Sequence, residues 1–344
     1  MGVALTELLI KKEIDLDELS GKITIVDAPL WLYQFLSSIR QRDGTLLQDS
    51  KGQVTSHLVG LLSRVTNLMQ KNIKLAFVFD GTPPPLKLKT LEKRKEIKIE
   101  AQKQFKEAEE KGDIDGMKKF AQRTTRLTKE MIEESKSLLT ALGIPVITAP
   151  SEAEAQASFM VKNKHAYAVA TNDADALLFG APRIIRNLNM VGKRKKASTL
   201  AYDVIKPELY SLDDNLKHLE LTREQLIALS MMIGTDFNPG GIKGIGPKNA
   251  LKFIKKFGDD FDKLFTEVKW SEFSDVTWNE VYDTIYKMPT SDKYDLKWNS
   301  PNQEDLIKLL VDKHEFTEQN VLSKLDTLST IKKEKSQTGL GEFL

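Results

Sequence analysis

Apolar residues fall into two patterns along this chain. Four short continuous runs, ITIV (23–26), LAFVF (75–79), IPVIT (144–148) and AYAVA (166–170), are each about a strand long and rich in Val, Ile or Phe. Long stretches with apolar residues at helical spacing separate them. Continuous apolar runs between helices predict strands buried on both faces, as in a parallel sheet of an α/β fold. After the first run, PLWLYQFLSSIRQ opens with Pro29, which suits the first turn of a helix. SHLVGLLSRVTNLMQ (56–70) repeats the helical spacing after a polar, glycine-containing connection. Beyond Leu200 helical patterns predominate: TREQLIALSMMIG, PKNALKFIKKF and SPNQEDLIKLLVDK, the last with Ser300, Pro301 and Gln303 as a capped start. The tail TIKKEKSQTGLGEFL reads as an extended polar linker until its last residues.

The polar residues beyond each apolar run change the picture. The runs lead into Asp27, into Asp80, into Glu152 and Glu154, and into Asp173 and Asp175. Ligands of open α/β sheets gather at the carboxyl ends of the strands, so acids repeated there converge in space. At about 4 Å, each like-charged pair costs about 4 kcal/mol at a protein-like dielectric. A cation between them removes that cost, and all-oxygen donors suit Mg²⁺ or Mn²⁺ better than zinc. Each motif also has a plainer reading. Ser151-x-x-Glu154 is a capping box, Asp173-x-Asp175 is a turn signal, and Asp236, in IGTDFNPGG, fits a loop. Shared direction toward one sheet edge favours ligands.

Composition narrows the chemistry. The chain has 344 residues, 40% of them hydrophobic, enough for an extensive core. It has no cysteine, which excludes disulfides and thiolate chemistry, and its four histidines are too scattered to suggest a zinc cluster. The start of the chain does not read as a secretory leader and no window is apolar enough to span a membrane, so the expectation is a cytoplasmic protein that is not secreted. A net charge of +2 averages this acidic cluster against basic segments. The clearest of these runs from Leu86 to Glu134 after GTPPP, with Lys87, Lys89, Lys93, Arg94, Lys95 and Lys98 in its first turns. An insertion leaving the sheet at its carboxylate edge stands over the site, and a basic cover there suits a polyanionic substrate. Lys193 to Lys196 add phosphate contacts or form a solvated loop.

GGIKGIGPKNALKFI carries a second chemistry. Gly244 and Gly246 flank one Ile, and Pro247-Lys248 then opens a helix, the pattern of a helix-hairpin-helix turn in which bare backbone N–H groups meet a nucleic-acid phosphate. Such a grip reads backbone rather than bases. At the far end, Leu340, Phe343 and Leu344 are apolar residues after a charged stretch and look like anchors for a partner's pocket.

Together VDAPLWLYQFLSSIRQ, VFDGTPPPLK, APSEAEAQA, NDADALLFG, IGTDFNPGGIKGIGPKNAL, the opening MGV and the terminal QTGLGEFL make the chain resemble the flap endonucleases, structure-specific 5′ nucleases of the XPG group, in their archaeal form. The resemblance implies a PIN-like parallel-sheet nuclease core with a helical arch and a helix-hairpin-helix region. It divides the chain into 1–98 and 116–258 for the core, 84–134 for the arch, about 234–257 for the hairpin, 259–328 for a C-terminal helical region and 329–344 for a tail with a sliding-clamp box at 337–344. It implies two-metal cleavage of DNA beside a 5′ flap, with 5′-3′ exonuclease activity as its companion, in replication and repair. The metal ligands fall on Asp27, Asp80, Glu152, Glu154, Asp173, Asp175 and Asp236, with two Mg²⁺ ions that Mn²⁺ can replace. Lys87 and Arg94 take the scissile phosphate. Tyr33, Arg40, Gly244, Gly246 and Lys248 touch DNA, and Gln337, Leu340, Phe343 and Leu344 bind the clamp. Three places depart from the family: Pro29-Leu30-Trp31 follow the first aspartate, Ala174 separates the paired aspartates, and the clamp box ends Phe343-Leu344 rather than in two aromatics. The alternatives are a noncatalytic clamp-bound DNA adaptor and a small-molecule phosphohydrolase. The latter's haloacid-dehalogenase form wants Asp-x-Asp where Ala28-Pro29 follow Asp27.

Overall fold

The four apolar runs are adjacent parallel strands, and the helices between them cover both faces of the sheet. The computed structural model describes residues 5–121, 124–195 and 202–341. Its strands are β1 (Lys12–Glu13), β2 (Ile23–Asp27), β3 (Lys74–Phe79), β4 (Val146–Thr148), β5 (Ala168–Ala170), β6 (Arg183–Arg186), β7 (Gly192–Lys195), β8 (Tyr202–Ile205) and β9 (Glu208–Ser211). Seven form one sheet in the order β1-β9-β6-β5-β2-β3-β4, while β7 and β8 make a separate ribbon. The block β6-β5-β2-β3-β4 is parallel, and β9 and β1 close its edge antiparallel. The basic run at 193–196 enters β7; Lys196 lies outside the described residues.

Alternation within the runs explains why they are continuously apolar. Ile25, Ala76, Val78 and Val169 point into one core, and Val26, Leu75, Phe77, Phe79 and Ala170 into the other. Both faces are covered, so no strand position is free to be polar until the strand ends. Helices α1 (Ala28–Ser38) and α2 (Ser56–Gln70) pack on the second face, with Pro29 in the first turn of α1 as expected. Trp31 is fully buried and meets Phe35 and Phe77 edge-on at 6.1 and 5.6 Å. The bulky residues after Asp27 are therefore core residues.

The charged insertion is two helices, α3 (Pro85–Glu110) and α4 (Ile114–Ala121), turning at Gly112 with φ +65°, and α5 (Lys129–Ala141) returns to the sheet. Helices α6 (Ala153–Lys162) and α7 (Asp175–Leu178) follow β4 and β5. The remainder is α8 (Leu212–Leu219), α9 (Arg223–Ile233), α10 (Pro247–Phe257), α11 (Phe261–Glu267), α12 (Trp278–Tyr286), α13 (Gln303–Leu306) and α14 (Glu318–Gly341). Among the described residues no helix is long and apolar enough to cross a membrane.

Two local expectations change. Asn302, not Ser300, caps α13, accepting from the N–H groups of Glu304 and Asp305, because Ser300 and Pro301 belong to an extended strap. That strap crosses the sheet edge: Trp298 Nε1 donates to Leu75 O at 2.7 Å, and Asn299 N donates to Gly143 O at 2.9 Å. These bonds satisfy edge groups that short β4 leaves open. The tail, expected as an extended linker, continues α14 through Gly341, since its Lys, Glu and Gln residues favour helix and no glycine interrupts before 339.

One buried polar cluster ties this C-terminal segment to the core. His57 Nε2 and His314 Nε2 lie 3.2 and 3.0 Å from Glu134, His314 Nδ1 lies 3.1 Å from Asp49, and Lys313 Nζ is 2.6 Å from Glu134. Burial alone would raise the Glu134 carboxyl, but hydrogen bonds from His57 and Lys313 and the nearby charges hold it down at about 2, from 4.5. A depressed carboxyl stabilises fully above its unfolded value and loses that contribution as pH falls through the folded one. Glu134→Gln should therefore cost about 1–3 kcal/mol at pH 7, read from urea midpoints, and the gap to wild type should close between pH 4.5 and about 2.

Candidate metal centre and nucleic-acid interface

The strand ends deliver their carboxylates to one edge, and helix starts hold them there. Asp27 ends β2 and caps α1, accepting from Leu30 N at 3.4 Å. Glu152 stands at the N-cap of α6, Glu154 lies in its first turn, and Asp175 opens α7. The positive end of a helix dipole favours charge at these positions. The capping box read at Ser151 is not formed. Ser151 Oγ instead donates to Thr82 O at 2.9 Å, and the N–H of Ala153 is taken by Asp80 Oδ1 at 2.8 Å. Asp80 thus caps a helix from a different strand. Gly81 makes this possible: its N–H donates to Ser151 O at 2.7 Å, and a Cβ there would collide with the Ala149 carbonyl.

Glu154, Asp173 and Asp175 bring carboxylate oxygens within 4.8 Å of one another, a geometry that can hold a metal ion. Thr171 Oγ1 donates to Glu154 at 2.7 Å, and Asp175 N donates to Asp173 at 3.2 Å, so backbone and hydroxyl groups aim the set. Ala174 between the aspartates is buried, a small residue that lets the turn pack against the core.

The remaining acids join electrostatically. Burial, then Asp80 and Asp173, push the Asp27 carboxyl well above its ordinary range. Burial, then Asp173, Asp27 and Asp175, do the same to Glu154. Glu152 is also raised, by burial and by Asp80 and Asp236, against the opposing charge of Lys87. Carboxyls held toward the protonated form by burial and by one another would ionise more readily with a cation among them. The donor set, all carboxylate oxygen with no histidine or thiolate, fits hard divalent ions.

Helix α3 places its basic residues on this edge. Lys87 is bound to Glu152 and stands 3.7 Å from Asp236 Oδ2, and Arg94 Nη2 is 2.5 Å from Asp236 Oδ1. Burial would lower the Lys87 pKa, but Glu152, Asp80 and Asp236 more than reverse this and hold the ammonium charged. Glu154, Asp173 and Asp175 thus stand within reach of one ion, and charge interactions tie Asp27, Asp80, Glu152 and Asp236 to the same edge, with Lys87 and Arg94 among them. Sequence reading missed Thr171, whose hydroxyl orients Glu154, and Thr90, whose Oγ1 donates to Asp236 O at 2.7 Å. Thr90's spacing from Lys87 and Arg94, on one helical face, was the available signal.

The other predicted contacts surround this centre. Tyr33 is 40% exposed on α1, with Lys98 of α3 4.7 Å above its ring. Arg40 donates to Gly44 O at 2.8 Å and to Thr125 Oγ1 at 2.6 Å, while its Nε finds no partner. It lines a groove of about 830 Å³ with Arg42, Arg64, Gln34 and Asn189. Gly244, at φ +86°, and Gly246 precede α10, and a Cβ at either would meet nothing within 4 Å, so the turn faces open space. Lys248 is exposed beside it. The backbone at Gln337 and Leu340 belongs to α14; Phe343, Leu344 and the opening MGV lie outside the described residues.

Comparison with known proteins agrees with this arrangement. The model of the XPG N-terminal domain matches residues 1–101, and that of the XPG I-region matches 143–236. Flap endonuclease 1 of Pyrococcus abyssi is 48% identical over 99% of this chain and 97% of its own length. The solved structure of flap endonuclease-1 from Methanococcus jannaschii superposes with a TM-score of 0.76 at 36% identity, covering 97% of this chain and all of that one. The catalytic core of Rad2 in complex with DNA substrate superposes at 0.68 with 26% identity, covering 94% of this chain and 97% of that core. With two family models covering over half its length and a relative matched from end to end, the chain belongs to the XPG family of nucleases, among the flap endonucleases 1.

Proposed function

We propose that this protein is a structure-specific DNA endonuclease that hydrolyses a phosphodiester beside the junction of a 5′ flap with duplex, using two Mg²⁺ ions for which Mn²⁺ can substitute. The observation that carries the reading is the meeting, at the ends of four parallel strands, of carboxylates with Lys87 and Arg94. Two divalent ions held by these carboxylates would supply Lewis acidity toward an attacking water and the phosphate. The chain's own groups do the rest. Asp27, Asp80, Glu152, Glu154, Asp173, Asp175 and Asp236 are the ligands. Seven carboxylates outweigh two divalent ions by three charges, a surplus that repels DNA. Lys87 and Arg94 offset it: they now neutralise Glu152 and Asp236, and a phosphate arriving between them exchanges one anionic partner for another. Tyr33 offers a ring face on which a base beside the cleavage site can stack.

Around the centre, α3 and α4 form the arch under which the single strand passes, and the turn at Gly244–Gly246 with Lys248 holds duplex phosphates. Arg40, in its arginine-lined groove, contributes a second backbone contact. The terminal box, Gln337, Leu340, Phe343 and Leu344, docks on a sliding clamp, which brings the nuclease to replication and repair sites in the cell interior. A noncatalytic DNA adaptor would need neither the converging acids nor the basic residues set upon them.

The decisive assay is Mg²⁺-dependent digestion of an end-labelled 5′-flap duplex beside single-stranded and blunt controls; cutting of the controls as fast as the flap would defeat the reading. Asp80→Asn or Asp173→Asn should slow hydrolysis by at least about 100-fold while flap binding measured in Ca²⁺ persists. Gly246→Ala, at a position with ordinary φ, should weaken duplex binding about tenfold at fixed salt with little change in the single-turnover rate. Removing residues 337–344 should abolish clamp binding in a pull-down and leave flap cleavage as it was.

A further inference from the structure

Three residues on one face of α3 converge on a single residue of the metal edge. Lys87, Thr90 and Arg94 stand at i, i+3 and i+7, and all reach Asp236. The two charged contacts go to its side chain. The third goes to its backbone: Thr90 Oγ1 donates to the Asp236 carbonyl at 2.7 Å. Thr90 is 6% exposed, and as a β-branched residue on a helix it has few rotamers to choose from.

From its other side the same loop is braced by α9. Thr235 N and Oγ1 both donate to Asn238 Oδ1, at 3.2 and 2.7 Å, and Asn238 Nδ2 donates to Met231 O at 2.7 Å. Phe237 N donates to Thr235 Oγ1 at 3.1 Å. Asp236 therefore sits on a short loop clamped between the end of α9 and the foot of α3. The clamp's two halves respond differently to substrate. Lys87 and Arg94 must exchange partners when a phosphate arrives, because each cation is needed to meet it. The Thr90 bond is neutral, is made to the backbone and involves no group the phosphate attracts, so it persists through that exchange.

We infer that Thr90 is a positioning residue: its hydroxyl holds the Asp236 loop against the foot of α3, on the side where Lys87 bridges Asp236 and Glu152, and so couples the foot of α3 to completion of the ligand set. The inference rests on the reading of the seven acids as metal ligands. It assigns Thr90 no contact with DNA or with the ions. Its effect is confined to the side of the centre that Asp236 serves.

The test compares Thr90→Val, which keeps the shape and removes the hydroxyl, with Thr90→Ser, which keeps the hydroxyl. Mn²⁺ binding to the DNA-free protein is titrated by electron paramagnetic resonance, flap affinity is measured in Ca²⁺, and cleavage is followed under single turnover across a Mg²⁺ range. Thr90→Val should weaken Mn²⁺ binding at one of the sites by about tenfold and raise the half-saturating Mg²⁺ to match, within the range found when supports of metal ligands are removed. Flap affinity in Ca²⁺ should stay within about twofold, a split the loss of a general packing contact does not predict. Thr90→Ser should restore Mn²⁺ binding. Wild-type Mn²⁺ binding by Thr90→Val, or equal losses in both variants, would overturn the proposal. Asp236→Asn separates it from the reading beneath: if that variant keeps wild-type Mn²⁺ binding and cleavage, Asp236 is no ligand, whereas a defective Asp236→Asn beside a normal Thr90→Val removes the Thr90 role alone.

Discussion

Mutual repulsion among carboxylates at the sheet edge is the constraint around which this molecule is arranged. Asp27 is buried and Glu154 half-buried beside other acids, and both resist ionisation. A fold stabilised only by its own contacts would gain by removing such groups, since buried like charges cost several kcal/mol per pair. Here they are held in place by devices that act from outside the cluster. Helix starts at α1, α6 and α7 turn their positive ends toward it, and Asp80 is fixed by an N–H from the helix after a neighbouring strand. The two apolar cores on either face of the sheet supply the rigidity that prevents relaxation. The acids are therefore presented already gathered, which a site that must neutralise charge as it develops requires.

The same repulsion explains the basic foot of the arch. Lys87 lies against Glu152 and Arg94 against Asp236, so part of the excess negative charge is met by groups of α3. Leu88, Leu91, Ile97 and Ile99 of α3 stay exposed rather than packing on the core. The fastenings at the foot of α3 are polar: the ion pairs of Lys87 and Arg94 with Glu152 and Asp236, and the Thr90 hydroxyl. At the descending end, Arg40 meets Thr125.

The C-terminal strap has a comparable economy. Residues without regular structure between α12 and α13 cross the sheet edge and cap its open carbonyl through Trp298. The buried cluster of Glu134, His57, His314 and Asp49 then anchors the next segment to α2 and α5. These polar fastenings, made between residues remote in sequence, join the C-terminal segment to the core beside the apolar packing of Leu306, Leu310 and Val321.

The strands and the placement of acids after them were legible in the sequence, because a strand buried on both faces must be apolar throughout and the first polar residues mark where it emerges. The turn before α10 was legible for another local reason: Gly244 has φ +86°, which selects glycine, while Gly246 has an ordinary φ. What the tertiary structure alone decided was pairing. Ser151 was read as a cap for its own helix, yet Asp80 does part of that work across the sheet, since β3 and β4 are neighbours and Gly81 lets their loops touch. Ser300 gave way to Asn302 because a strap, invisible in periodicity, occupies the preceding residues. The roles of Thr90 and of the Glu134 cluster depend on groups separated by more than a hundred and by scores of positions, and hydrogen bonding between such groups leaves no period in the chain. Local order came from burial and backbone conformation; the partners of polar side chains came only from the fold.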